Sequence, residues 1–233
     1  LGIDQHEEDE ATWAMGMNSI TINLLVPYTD ELNSMRFFDH IDADYRARFM
    51  DFYEASIKRH LFATAPDKRF INKNVFFTPR VRSVVERMPD ARFLYLVRDP
   101  AEALPSFLSM WWEKWVSHTP EIQKDGPEAQ QLVQLAYDYY DYALGLLDDL
   151  GPNQILVVRY DELTQDPDEE VHRIYDWLGI EMSPAFKQNL YEFTHAQRCY
   201  ESSHDYTLAD FGLTRDEVYE GAKRFCARFG FKR

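Results

Sequence analysis

A parallel α/β sheet covered by helices is the fold class that this 233-residue sequence predicts, on three observations. Apolar runs at Phe93–Val97 and Gln154–Tyr160 are short and bounded by turn residues, as buried parallel strands are. The first run is followed by a helix-start signal, Asp99-Pro100, and the second by a capped loop, Asp161–Pro167, that leads into a helix. Helical patterns fill the stretches between, so strand and helix alternate as in a sheet covered on both faces.

Taken in order, residues 8–25 begin acidic and turn apolar, predicting a helix with Trp13, Met15 and Met17 partly buried. Residues 42–63 set Tyr45, Phe49, Phe52, Tyr53, Ile57 and Leu61 at helical spacing, an amphipathic helix packed on a sheet. Phe70-Ile71 reads as a short strand ending near Asn72, Lys73 and Asn74. A helix over 78–88 then leads into the strand at Arg92–Val97, which completes a βαβ unit. The helix begun at Asp99 carries Phe107, Trp111, Trp112 and Trp115, an aromatic face suited to an acceptor pocket, a core or a subunit contact. A polar loop, Ser117–Pro127, precedes a long helix over 128–150 with a tyrosine-rich face that Gly151-Pro152 stops. Gln154–Tyr160 is the third strand, and a helix over 168–178 is closed by Gly179.

One domain spanning 1–233 is expected, large enough to bury roughly 70% of its unfolded surface. The formal charge of −15 argues against non-specific binding to nucleic acid or anionic membranes. It also means that an anionic ligand must be gripped by a local cluster of Arg and Lys against an unfavourable mean field. Cys199 and Cys226, the only cysteines, form neither a disulfide framework nor a metal-ligand spacing, which points to a reducing, cytoplasmic setting. The chain opens at Leu1-Gly2-Ile3 without an initiator methionine, as the interior of a longer protein does.

The most informative stretch is Arg92–Ser106. It places Arg98 at the carboxyl end of a strand, where open α/β sheets bind ligands. Ser106 follows two helical turns on, able to point its hydroxyl at the same anion. An arginine fork plus a hydroxyl grips a phosphate; a salt bridge from the arginine to the helix cap is the alternative from spacing alone.

These landmarks, in order, resemble the sulfotransferases that use 3′-phosphoadenosine 5′-phosphosulfate (PAPS), especially their bacterial-type branch. Arg98, Asp99, Pro100 and Ser106 look like that family's 3′-phosphate motif. Val158-Arg159-Tyr160-Asp161-Glu162-Leu163, with Asp166-Pro167 and Trp177-Leu178-Gly179, is similar to its Tyr-Glu-Asp-Leu element. Glu8-Asp9-Glu10 resembles its acidic motif, Lys73 falls where it places a strand-end lysine, and His204, Tyr206 and Phe211-Gly212-Leu213 look like its closing segment. The resemblance implies a P-loop-NTPase-like fold, with PAPS as cosubstrate, no metal, and a small-molecule acceptor. Two departures stand out. The Gly/Ser/Thr-rich 5′-phosphosulfate loop and its strand are absent, so the domain is expected to be N-terminally incomplete. Positions after the lysine where relatives often carry a histidine are Val75, Phe76 and Phe77.

Sulfuryl transfer is an in-line displacement in which positioning and electrostatics dominate. Without that histidine the candidate bases are Glu8, Asp9 and Glu10, of which helical spacing turns only one or two to the site; Glu10 is expected, with Glu8 behind it, and burial is expected to raise its carboxyl pKa; acids decorating a helix N-terminus are the alternative. Lys73 is the expected cation on the leaving oxygen. Arg98, Ser106, Tyr160, His204 and Tyr206 are the expected nucleotide ligands, while Arg80 and Arg82 are expected on a helix surface. Two rivals stay open, a P-loop phosphotransferase and a non-catalytic relative that binds nucleotide or a partner. The acceptor and the oligomeric state, a homodimer included, are open as well.

Overall fold

Strands β1 (Phe93–Val97) and β2 (Ile155–Arg159) pair in parallel, in the register Phe93 with Ile155 through Val97 with Arg159. That register brings the next residues, Arg98 and Tyr160, to the same carboxyl end of the sheet. The computed structural model describes residues 9–25, 27, 35–64, 66–197 and 206–232. The chain forms two compact units, Leu1–Ala91 with Phe107–Leu146, and Arg92–Ser106 with Leu147–Arg233.

The first unit is helical in its described residues: α1 (Glu10–Met15), α2 (Ala43–Thr64) and α3 (Val81–Arg87), with most of α4 (Pro100–His118) and α5 (Pro127–Asp149). Its core gathers around Trp13, which is fully buried and lies 4.8–5.0 Å, ring to ring, from Phe38, Phe49 and Tyr53. Trp111 and Trp115 of α4 are also buried, so two of the three tryptophans on that face are core. Helix α2 buries Phe49, Met50 and Tyr53 against these rings and α3.

Two expectations fail here. The helix predicted over 8–25 spans only Glu10–Met15, with Met15 and Met17 exposed. Met17 takes φ 55°, which ends the helical path. At Gly16 a Cβ would lie 2.3 Å from the Phe49 ring, so the chain turns on a residue that needs to be bare. The strand predicted at Phe70-Ile71 does not form either, so the expected βαβ unit is missing. Ile71 is 89% exposed, and Asn74 folds its own backbone by accepting from the Phe76 amide at 2.8 Å. A two-residue apolar run buries too little to repay ordering it against a sheet.

The second unit holds β1, β2 and the start of α4, then α6 (Tyr160–Gln165), α7 (Pro167–Leu178), α8 (Pro184–Gln197), α9 (Arg215–Gly221) and α10 (Lys223–Phe229). The loop expected over 161–167 does not form, because α6 begins at Tyr160 directly after β2 and holds Asp161 within it. Three other expected helix signals are met. Asp99 Oδ1 accepts from the Ala101 amide at 2.8 Å, Asp166 accepts from Glu169, and Gly179 closes α7 at φ 65°. Strand β1 is less buried than its composition implies: Val97 is fully buried, but Leu94 and Leu96 are exposed because period-two alternation turns them to the open face. Among the described residues, no helix is long and apolar enough to cross a membrane.

Candidate functional site

In the second unit an open cleft of about 540 Å³ is lined by Arg98, Glu102, Pro105, Tyr206, Leu213 and Arg215, among others. The parallel register builds its cationic wall. Because Val97 pairs with Arg159, the Arg98 guanidinium comes to lie over the Tyr160 ring, 4.5 Å from its centre. Tyr160 is therefore no core residue; it is 37% exposed and braces the arginine. Glu102, one turn into α4, reaches back to Arg98 Nε at 3.3 Å. The alternative of an arginine bonded to the helix cap is not what forms. The cap, Asp99, turns instead to Arg215 and Tyr219, at 2.9 and 2.7 Å from its Oδ2.

Ser106 lies where α4 leaves this unit, and the Tyr206 hydroxyl donates to its Oγ at 2.9 Å. Two residues read separately from the sequence as nucleotide ligands thus touch across a long stretch of chain. Burial, then the bond to the Asp99 carboxylate, pushes the Tyr219 phenol pKa up, so this hydroxyl remains a donor.

The first unit contains the acidic motif, and its geometry differs from expectation. Arg80 is 2% exposed and grips Glu10 in a fork, Nη1 to Oε2 at 2.7 Å and Nη2 to Oε1 at 2.8 Å. Ser19 donates to Oε1 and Asn74 to Oε2, while the Trp13 ring lies 4.4 Å from the guanidinium. Asp9 accepts from Tyr53, Trp13 and Asn74. Burial is the largest single influence on Glu10 and opposes its ionisation. The hydrogen bond and charge of Arg80, with Ser19 and Asn74, together outweigh it, so the carboxyl pKa lies below the usual range. The expected rise is overturned. Arg80 is also no surface residue; a planar fork was needed to satisfy a buried carboxylate. Lys73, next to Asn74, is exposed. Glu8 and His204 lie outside the described residues.

Residues 7–184 match the sulfotransferase family. The chain belongs to that family. Its curated relatives include the ω-hydroxy-β-dihydromenaquinone-9 sulfotransferases Stf3 of Mycobacterium bovis and Mycobacterium tuberculosis, each 24% identical over all of this chain. The chain spans 59% of the length of those relatives. Among solved structures, sulfotransferase STF9 from Mycobacterium avium superposes with a TM-score of 0.78 at 18% identity, over 97% of this chain and 56% of that one. STF1 from Mycobacterium tuberculosis gives 0.68 at 21%, over 95% and 56%. The sulfotransferase chain thus has the P-loop-like α/β fold of these proteins, helix-rich with a small parallel sheet among its described residues. Of the residues named from the sequence, Arg98 and Tyr206 line this cleft; sequence reasoning did not single out Arg215 or Tyr219 and misplaced Arg80, whose partners include residues far away in the chain. One signal was available for Arg215: a cation opening a helix, where acids are preferred.

Proposed function

We propose that this protein transfers a sulfuryl group from PAPS to a hydroxyl or amine of a small-molecule acceptor. The observation that carries the reading is the cleft at the carboxyl end of the sheet, where Arg98 stands braced on Tyr160 and the Tyr206 hydroxyl meets Ser106. Its residues fit a phosphomonoester: a guanidinium for its charge and hydroxyls for its oxygens. PAPS supplies the activated sulfuryl group, and attack by the acceptor oxygen or nitrogen on sulfur releases 3′,5′-adenosine bisphosphate.

On this reading Arg98 and Ser106 hold the 3′-phosphate, Tyr160 fixes the guanidinium plane, and Tyr206 orients the serine hydroxyl, with His204 as a further nucleotide contact. Lys73 steadies charge on the leaving phosphate. Among the acids, Glu8 and Glu10 are the proposed acceptor-side groups. Glu10 stays anionic at neutral pH, and taking the acceptor proton requires an oxygen to exchange one of its present partners. No step calls for a metal. The names of the curated relatives favour a hydroxyl acceptor.

One observation favours a second reading, a nucleotide binder without turnover: both Glu10 oxygens are already doubly engaged. Titration calorimetry with 3′,5′-adenosine bisphosphate tests the site. Micromolar binding, tighter than that of 5′-AMP, is expected, and equal millimolar binding of both overturns the assignment. Release of the bisphosphate from PAPS in the presence of candidate alcohols then separates enzyme from binder.

A further inference from the structure

The two oxygens of Glu10 are each engaged twice, yet one of their partners is a hydroxyl that is itself bonded to a second hydroxyl. Ser19 is fully buried, and its Oγ donates to Glu10 Oε1. The same Oγ lies 2.6 Å from Thr21 Oγ1. A serine hydroxyl carries a single proton, and an ionised carboxylate can only accept. The Ser19 proton therefore belongs to the Glu10 bond, and the Thr21 hydroxyl must donate to Ser19. The result is a chain of one polarity, from Thr21 through Ser19 to Glu10, within the first unit. Its middle is sealed from solvent and its outer end, Thr21, is half-buried. Ser19 also caps the short turn Ile20–Leu24, where it accepts from the Thr21 amide at 2.9 Å. The cap explains that amide contact. It calls for neither a hydroxyl on Thr21 nor a Ser19 proton aimed at a carboxylate.

We infer that Thr21 and Ser19 relay the acceptor's proton to Glu10, with Thr21 as the catalytic residue that touches the acceptor hydroxyl. The inference rests on the sulfuryl-transfer reading proposed above and on Glu10 as its base. As the acceptor oxygen bonds to sulfur, its proton passes to Thr21 Oγ1, the Thr21 proton to Ser19 Oγ and the Ser19 proton to Glu10 Oε1. The bond from sulfur to the 5′-phosphate oxygen breaks, and its electron pair leaves on the bisphosphate. Each hydroxyl ends with one proton, as it began, and Glu10 ends neutral. It returns that proton to solvent along the same chain in reverse. Only the polarity of existing hydrogen bonds changes, so Arg80 and Asn74 keep their places on the carboxylate. A substrate reaching Glu10 itself would have to displace one of its partners.

The test takes the wild-type chain, Thr21→Val, Thr21→Ser, Glu10→Gln and the pair Thr21→Val with Glu10→Gln. Single-turnover rates are read with PAPS and two hydroxyl probes, octanol and benzyl alcohol, and affinity for 3′,5′-adenosine bisphosphate by calorimetry. Thr21→Val keeps the branched shape and loses the hydroxyl. It is expected to slow turnover by about 100-fold, the lower end of the range for general-base catalysis, and to leave the bisphosphate affinity within about twofold. Thr21→Ser restores the hydroxyl and should recover most of the lost rate. The double variant should be no slower than Glu10→Gln alone, because groups that act as one unit do not add. A loosened turn would behave otherwise: serine would not repair it, and its effect would add to that of Glu10→Gln. If the wild-type chain releases the bisphosphate with neither probe, the sulfuryl-transfer reading fails and the relay with it. If it turns over and Thr21→Val retains the full rate, the relay alone is overturned.

Discussion

The hydroxyl of Tyr206 donates to the hydroxyl of Ser106 at 2.9 Å, joining the loop before α9 to helix α4. A serine hydroxyl rotates freely unless something orients it. Here a tyrosine donates to it, so the serine's own proton is left to point elsewhere, toward an anion. Tyr206→Phe and Ser106→Ala should each weaken binding of 3′,5′-adenosine bisphosphate by about 0.5–1.5 kcal/mol, as for a typical hydrogen bond. The double variant should cost less than the sum, and calorimetric double-mutant cycles read that coupling. Strict additivity would mean that the two hydroxyls do not act as a pair.

Arg98→Ala should weaken the same ligand by about 1.5–3 kcal/mol, the range for a charged hydrogen bond. Its side chain is 37% exposed and its neighbours are a surface carboxylate and a half-open ring, so the melting temperature should barely move. An unchanged dissociation constant would take Arg98 out of the site.

Glu102 competes with the ligand for Arg98, from 3.3 Å away and inside the same cleft. Replacing it by glutamine removes a negative charge that the incoming phosphate must face. Glu102→Gln should therefore tighten bisphosphate binding, by up to about fivefold given the modest strength of exposed ion pairs. Weaker binding in this variant would show that Glu102 supports the arginine more than it opposes the anion.

The Glu10–Arg80 pair predicts the acid behaviour of the first unit. Removing one member of a buried pair strands the other, so Arg80→Ala should cost roughly 3–5 kcal/mol in urea denaturation. The Glu10 carboxyl is held below its ordinary pKa of 4.5 in the folded protein. The unfolded chain thus takes up this proton first as pH falls. The pair's contribution is complete above about pH 4.5 and fades as pH drops through the lower folded-state value. Glu10→Gln should flatten that part of the stability profile. The same variant should lower turnover far more than nucleotide affinity; full activity would assign the base elsewhere.

The parts legible in the sequence were those governed by neighbours a few residues apart. Asp99 and Pro100 announced a helix start and Gly179 a helix end, because caps, turns and helical faces depend on contacts within a turn or two. The same local reading misjudged Phe70-Ile71, since a strand needs a partner that composition cannot supply. It misjudged Arg80 for a related reason: an arginine at the start of a helix looks solvated until a carboxylate from a distant segment closes on it.

The sequence by itself therefore determined the α/β class, the two strands, the motif that presents Arg98 and the family to which the chain belongs. The tertiary structure alone decided which charges meet. Glu10 is fourfold engaged and more acidic than its burial suggested, Arg98 rests on Tyr160, and Asp99 ties Arg215 to Tyr219. Hydrogen bonds and ion pairs act over a few ångströms, between groups whose separation along the chain carries no trace of their separation in space. Periodicity reports which face of an element is buried, and only the packed fold reports what lies against it.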